Sequence, residues 1–211
     1  MNILAIGSHP DDIEYGCAGT LLKFIRAGHT VSLFVASRGQ KGGDPKKRYE
    51  EQMHVALSLG TRNVFWGNCK DTELSANKEL IDRISFLIDE QEIDMVFVHY
   101  PDDTHQDHRA LAEATISSTR YKQNILFYEG PTTKNFLPTI YMNIEDCLDE
   151  KVGLFKLYKS QTSKMYNPDI KYITIMENLL SCANFRGIQG RIKHAEAFFP
   201  LRMMMEIPDT T

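Results

Sequence analysis

Up to Tyr128, short apolar runs alternate with stretches of helical period, and that alternation leaves few folds open. Ile3 to Ile6 is a short apolar run, followed by Ala18, Leu21, Leu22 and Ile25 at helical spacing and by Gly28 as a stop signal. Val31 to Val35 forms the next run, and Tyr49, Met53, Ala56 and Leu57 predict one face of a second helix that ends at Gly60. The series continues through Val64 to Trp66, a helix marked by Leu80, Ile81, Ile84 and Ile88, and the run Met95 to Val98. A helix from near Asp107, with Leu111, Ala114 and Thr115 inward, then leads to Ile125–Tyr128. Such alternation, with one strand apolar throughout, predicts βαβ crossovers and a parallel sheet covered on both faces. The fold class is therefore α/β: a Rossmann-like, doubly wound, mainly parallel sheet with helices on both faces. With the common strand order 3-2-1-4-5, the winding reverses between the first and fourth strands, and ligands bind outside their carboxyl ends.

The remaining third is less regular. Thr139 to Ile144 reads as a strand, Leu148, Val152 and Phe155 as a helix, and Ala195 to Met203 as a closing extended segment. No linker or repeat interrupts it, so residues 1–211 are expected to form a single domain. Hydrophobic residues at 42% and charged residues at 25% suit a globular core rather than a disordered chain. Lys and Arg total 24 against 28 Asp and Glu, a net charge of -4 that argues against a nucleic-acid partner. Cys17, Cys69, Cys147 and Cys182 form no CxxC pair, which removes a thiolate metal site and a disulfide framework. With no signal-like N-terminus and no membrane span, a cytoplasmic, reduced protein is expected.

Two polar clusters sit where the architecture places a ligand. The first strand runs into Ser8-His9-Pro10-Asp11-Asp12-Ile13-Glu14, and the fourth into His99-Tyr100-Pro101-Asp102-Asp103-Thr104-His105-Gln106-Asp107-His108. An imidazole and a carboxylate from the first loop, with an imidazole from the second, would supply three N/O ligands and leave a position open, as catalytic zinc requires. A spare aspartate beside the metal could act as general base. Spacing alone leaves open which of His105 and His108, and which of Asp11 and Asp12, is the ligand. The bland alternative makes the first cluster a Pro-bearing turn capping a helix from Gly16 and the second a polar helix start. There is no G-x-G-x-x-G, P-loop, H-E-x-x-H or G-x-S-x-G element. In the charged stretch from Lys41 to Glu51, Arg48 is the best candidate to fork onto substrate oxygens.

The segment Ile6 to Glu14, Gly19-Thr20-Leu21 and His105-x-Asp107-His108 resemble the LmbE-like, or PIG-L, zinc-dependent N-deacetylases. Further matches are Arg48-x-x-Glu51 before Leu59-Gly60, Lys151, Ser160-Gln161, Arg186-Gly187 and Ala195 to Phe198, so the resemblance runs from Met1 to about Arg202. It implies His9, Asp12 and His108 as ligands of Zn2+, with Fe2+ also accommodated by such a set. It further implies Asp11 as the general base, His105 facing the substrate carbonyl and Asp107 orienting His105. Arg48 and Arg186 would bind substrate from opposite walls of the cleft. Gln106 stands where many relatives carry Pro. The implied reaction is hydrolysis of the acetamide of an N-acetylglucosamine-type sugar conjugate; self-association into a homo-oligomer is left open. The same two-His-one-carboxylate set also spells a non-haem iron site, usually carried on a β-barrel, and a non-catalytic Rossmann-like binding module is the other alternative.

Overall fold

A computed structural model describes residues 1–162 and 174–205. Strand β1 (Asn2–Gly7) is followed by α1 (Asp12–Arg26), β2 (Thr30–Ser37), α2 (Pro45–Leu59), β3 (Val64–Cys69), α3 (Lys78–Glu90), β4 (Met95–His99), α4 (Gln106–Ser118) and β5 (Asn124–Tyr128). Then come β6 (Ile140–Asn143), α5 (Leu148–Lys156), the short α6 (Lys159–Thr162), α7 (Ile175–Gly190) and β7 (Ala195–Arg202). The sheet order is β3-β2-β1-β4-β5-β7-β6. The first five strands are parallel in the expected order, and β7 and β6 extend that edge in antiparallel fashion.

Two cores form because each inner strand is apolar on both faces. Ile3 and Ala5 of β1 pack toward α1, α2, α5 and α7, while Leu4 and Ile6 pack toward α3 and α4. Helix α1 lies close to the sheet because residue 16 is a glycine: a Cβ there would run into the Tyr128 ring, whose hydroxyl donates to Ile6 O at 2.7 Å.

Two local expectations need correction. The buried face of α2 carries Arg48, Gln52, Val55, Ala56 and Leu59, whereas Leu57 is 53% exposed. Counting only apolar residues misphases this helix, because two of its inward positions are polar: Arg48 donates to Pro10 O and Gln52 to Glu14 Oε1 at 2.8 Å. Helix α7 has no counterpart in the sequence reading. It starts from a capping box between Thr174 and Glu177, and its outer face mixes exposed Leu180, Phe185 and Ile188 with exposed Glu177, Ser181, Asn184 and Gln189, which blurs the apolar stripe that marks a surface helix.

Candidate metal centre and active site

The carboxyl ends of β1 and β4, neighbours in the sheet, deliver the two polar loops to one place. Ser8 ties the edge together: its amide donates to His99 Nε2 at 3.1 Å, and its carbonyl accepts from the Ser37 amide at 2.9 Å. Helix α1 starts at Asp12 rather than Gly16, so Asp12 lies in its first turn. Asp11 occupies the N-cap with φ 102° and ψ -23°, a left-handed conformation that residues other than glycine rarely adopt, although aspartate tolerates it better than most. Such a conformation survives where surrounding contacts impose it, and it concentrates at functional sites.

Asp12 is the meeting point of the cluster. Its carboxylate lies 3.2 Å from His9 Nδ1, 3.5 Å from His108 Nε2 and 3.2 Å from His99 Nε2, and it accepts from the His9 amide at 2.7 Å. His9 and His108 thus turn one nitrogen each toward the same carboxylate. Their other nitrogens face further acids: His9 Nε2 is 3.0 Å from Asp71 and 3.2 Å from Asp107, and His108 Nδ1 is 3.3 Å from Asp103. Among the described residues, three sets of side chains bring potential ligand atoms within 4.8 Å of one another: His9 with His105 and His108, Asp12 with His99 and His108, and His9 with Asp71 and Asp107.

The electrostatics follow from burial and pairing. Burial disfavours charge on His9 and His108, yet hydrogen bonds from His9 to Asp107 and Asp12 hold its pKa well above the usual value, and Asp12 and Asp103 raise His108 to about 9. Asp12 also resists burial, being held well below the usual carboxylate range by His108 and His99. Protonated imidazoles here do what a divalent cation would do, neutralising a buried carboxylate, and the mixed N/O donor set suits zinc or ferrous iron. His9, Asp12 and His108 therefore fit a cation. His99 goes the opposite way: burial and the charge of His108 lower its pKa to about 4. Its ring is stacked 4.0 Å from that of His108 at 9°, which steadies the His108 ring.

Asp11 differs from its neighbour. Burial pushes its carboxyl up to about 7, partly offset by Arg48. It lines a cleft of about 260 Å³ together with His9, Asp12, His105, His108 and Lys41. His105 is the N-cap of α4 and its Nδ1 accepts the Asp107 amide at 3.2 Å, which puts the ring proton on Nε2.

Three expected roles look different in place. The Asp107 carboxylate does not reach His105; it contacts His9 and accepts the amides of Thr72 at 2.7 Å and Leu74 at 3.3 Å. Only the Asp107 backbone meets His105, because an N-cap ring folds back over the amides of its own helix. Arg48 is buried at the edge of the cleft and its two terminal nitrogens are engaged: Nη1 donates to Gly39 O at 2.9 Å and Nη2 to Pro10 O at 2.7 Å, with Nη2 also 3.4 Å from Asp11, while Nε has no partner among the described residues. Gly39, at φ +61°, leaves room for that guanidinium, which a Cβ would strike. Arg186 stands outside the cleft. It forks onto Glu129 at 2.5 and 2.6 Å, donates to Gln189 at 2.6 Å and borders a separate cavity of about 20 Å³.

Sequence reasoning misses Asp71, His99 and Asp103 as site residues. His99 and Asp103 flank the HxxH element and could have been included on position; Asp71 is an isolated acid after β3 with no local signal.

Both polar loops fall within residues 4–119, and that span, just over half of the 211 residues, matches the sequence model of PIG-L, described as GlcNAc-PI de-N-acetylase. The chain belongs to the PIG-L family. Within it, the chain is similar to a protein of Escherichia coli (strain K12) named uncharacterized deacetylase YaiS, 34% identical over 169 residues that cover 75% of this chain and 90% of that one. It is 29% identical over 185 residues to the diacetylchitobiose deacetylase of Thermococcus kodakarensis, covering 75% of this chain and 69% of the relative. The conserved protein TT1542 of Thermus thermophilus shares the fold, with a TM-score of 0.84, 21% identity and coverage of 99% and 98% of the two chains. Among the described residues no helix is long and apolar enough to cross a membrane.

Proposed function

We propose that this PIG-L family chain is a divalent-cation-dependent hydrolase that removes the acetyl group from an N-acetylglucosamine-type sugar conjugate. The observation that carries the reading is the convergence of His9 Nδ1 and His108 Nε2 on the Asp12 carboxylate at the floor of a cleft that Asp11 also lines. The diacetylchitobiose deacetylase relative supports an acetylated amino sugar as substrate.

His9, Asp12 and His108 would hold the cation, zinc first and ferrous iron by the same donors. When bound, it supplies Lewis acidity, polarising the acetamide carbonyl and making water acidic enough to react near neutral pH. Asp11 takes the proton from the attacking water, its raised pKa matching a base that works near neutrality. The water oxygen bonds to the acetyl carbon. His105, with its proton on Nε2, faces the carbonyl oxygen and stabilises the charge that develops there. The C–N bond then breaks as Asp11 returns its proton to the departing nitrogen, giving acetate and a free amino sugar. Arg48 holds the Pro10 carbonyl and stands beside Asp11, so it serves the base rather than the sugar. The α/β scaffold favours this hydrolytic reading over an iron oxygenase, whose triad usually sits on a β-barrel.

The test is acetate release from N-acetylglucosamine and a panel of its glycosides and conjugates. The protein is dialysed against a chelator and then restored with Zn2+ or Fe2+. Release that disappears on chelation and returns with the metal supports the reading; the absence of release from every acetylated sugar under metal-replete conditions would overturn it.

A further inference from the structure

We propose that Asp71 is a positioning residue, fixing the tautomer and orientation of His9 while pinning the rim of the cleft. The proposal rests on the reading of His9 as a cation ligand. A neutral imidazole that gives one nitrogen to a cation carries its proton on the other, and that proton needs an acceptor. His9 turns Nδ1 toward Asp12, at 3.2 Å, in the direction His108 also faces. Its Nε2 points the other way, toward Asp71 Oδ1 at 3.0 Å and Asp107 Oδ2 at 3.2 Å. The cation-facing atom of His9 is therefore Nδ1, and Nε2 is the proton-bearing atom.

Of the two acids, Asp107 is already occupied by two amides, those of Thr72 and Leu74. Asp71 makes the shorter contact with His9, and its second oxygen accepts the Lys41 amide at 2.7 Å. Lys41 belongs to the glycine-rich segment 39–43 and lines the cleft. One carboxylate thus joins a ligand to the loop that borders the substrate. The next residue is tied to the same place: the Thr72 amide donates to Asp107 Oδ2 at 2.7 Å, and Thr72 itself is held at φ +69°. Asp71 is 4% exposed, so water does not replace these contacts.

The experiment compares wild type, Asp71→Asn and Asp71→Leu as folded holoenzymes, with melting curves to confirm folding. Zn2+ affinity is measured by competition with a chromophoric chelator, and the His9 ring is observed by long-range 1H–15N spectra of the zinc-loaded protein. The proposal expects a protonated Nε2 on His9 in wild type. Asp71→Leu should bind zinc about 10–100-fold more weakly, the usual loss when a partner behind a ligand is removed. Asp71→Asn should fall between, since its amide oxygen still accepts from Nε2, and both variants should show a raised KM from the released rim. An unprotonated Nε2 in the zinc-loaded wild type, or wild-type affinity in Asp71→Leu, would overturn the proposal. If Asp71→Leu misfolds, the Nε2 state and the Asp71→Asn affinity decide it alone. Failure of the functional reading shows separately, as wild-type protein that binds zinc but releases no acetate.

Discussion

Arg48 Nη2 lies 3.4 Å from Asp11 Oδ1 and donates to the neighbouring Pro10 carbonyl at 2.7 Å. An arginine that sequence reasoning assigns to substrate braces the loop that carries Asp11, the proposed base, and this changes what its removal should do. Arg48→Ala should lower kcat by about 10²-fold, as expected for a catalytic group displaced by about an ångström, and should leave zinc bound and KM little changed. Arg48→Lys should recover little, because an ammonium cannot reach Gly39 O and Pro10 O together as the planar fork does. Steady-state kinetics with metal analysis check this; a raised KM at constant kcat would return Arg48 to substrate binding.

Adjacent aspartates should separate cleanly. Asp11→Asn keeps the shape of the side chain but loses the proton acceptor, so kcat should fall by about 10²–10⁴ with metal retained. Asp12→Asn should instead weaken metal binding, because Asp12 is the carboxylate on which His9 and His108 converge. Metal content and kcat measured on the same two preparations decide the assignment.

His105 and Asp107 should also part company. Because the Asp107 carboxylate faces His9 and not His105, Asp107→Ala should reduce zinc affinity. The amide that His105 Nδ1 accepts is backbone and survives that change. His105→Ala should retain zinc and lose about 10²–10³ in kcat, the usual cost of removing one oxyanion donor. Equal zinc affinity in Asp107→Ala and wild type would contradict this division.

Behind the cleft, Lys151 and Glu196 form a buried pair at 2.6 Å, and Glu196 also accepts the Gly19 and Thr20 amides of α1. Lys151→Met should destabilise the fold by about 3–5 kcal/mol, because it leaves the Glu196 charge buried without its cation. Urea unfolding measures this; a loss below about 1 kcal/mol would show that the two amides suffice.

The parallel half of the fold is legible because its signals are local. Apolar runs such as Ile3 to Ile6 and stops such as Gly60 mark elements directly, and the strand order then places His9 and His108 at adjacent strand ends. The later part is less legible. Helix α7 presents Phe185 and Ile188 outward, and β7 pairs with β5 and β6 across long stretches of sequence. In the site, His9, Asp11, Asp12, His105 and His108 stand out on the two motif loops, His99 and Asp103 share the second loop without a signal of their own, and the residues behind the loops cannot be read. Asp71 approaches from β3, 62 positions from His9, and only the folded chain joins them. Arg48 and Arg186 stand out in the sequence as special residues but not as occupied ones, since the acceptors Pro10 O and Glu129 are set by tertiary packing.

The central claim is that His9, Asp12 and His108 hold one divalent cation on which acetate release depends. Metal-free protein should be titrated with Zn2+ while bound metal and acetate release from an N-acetylated sugar are followed together. Activity should rise in proportion to the first equivalent and level off there, and His108→Ala should neither take up that equivalent nor release acetate. Full-rate release from metal-free protein, or an undiminished first equivalent in His108→Ala, would contradict the account.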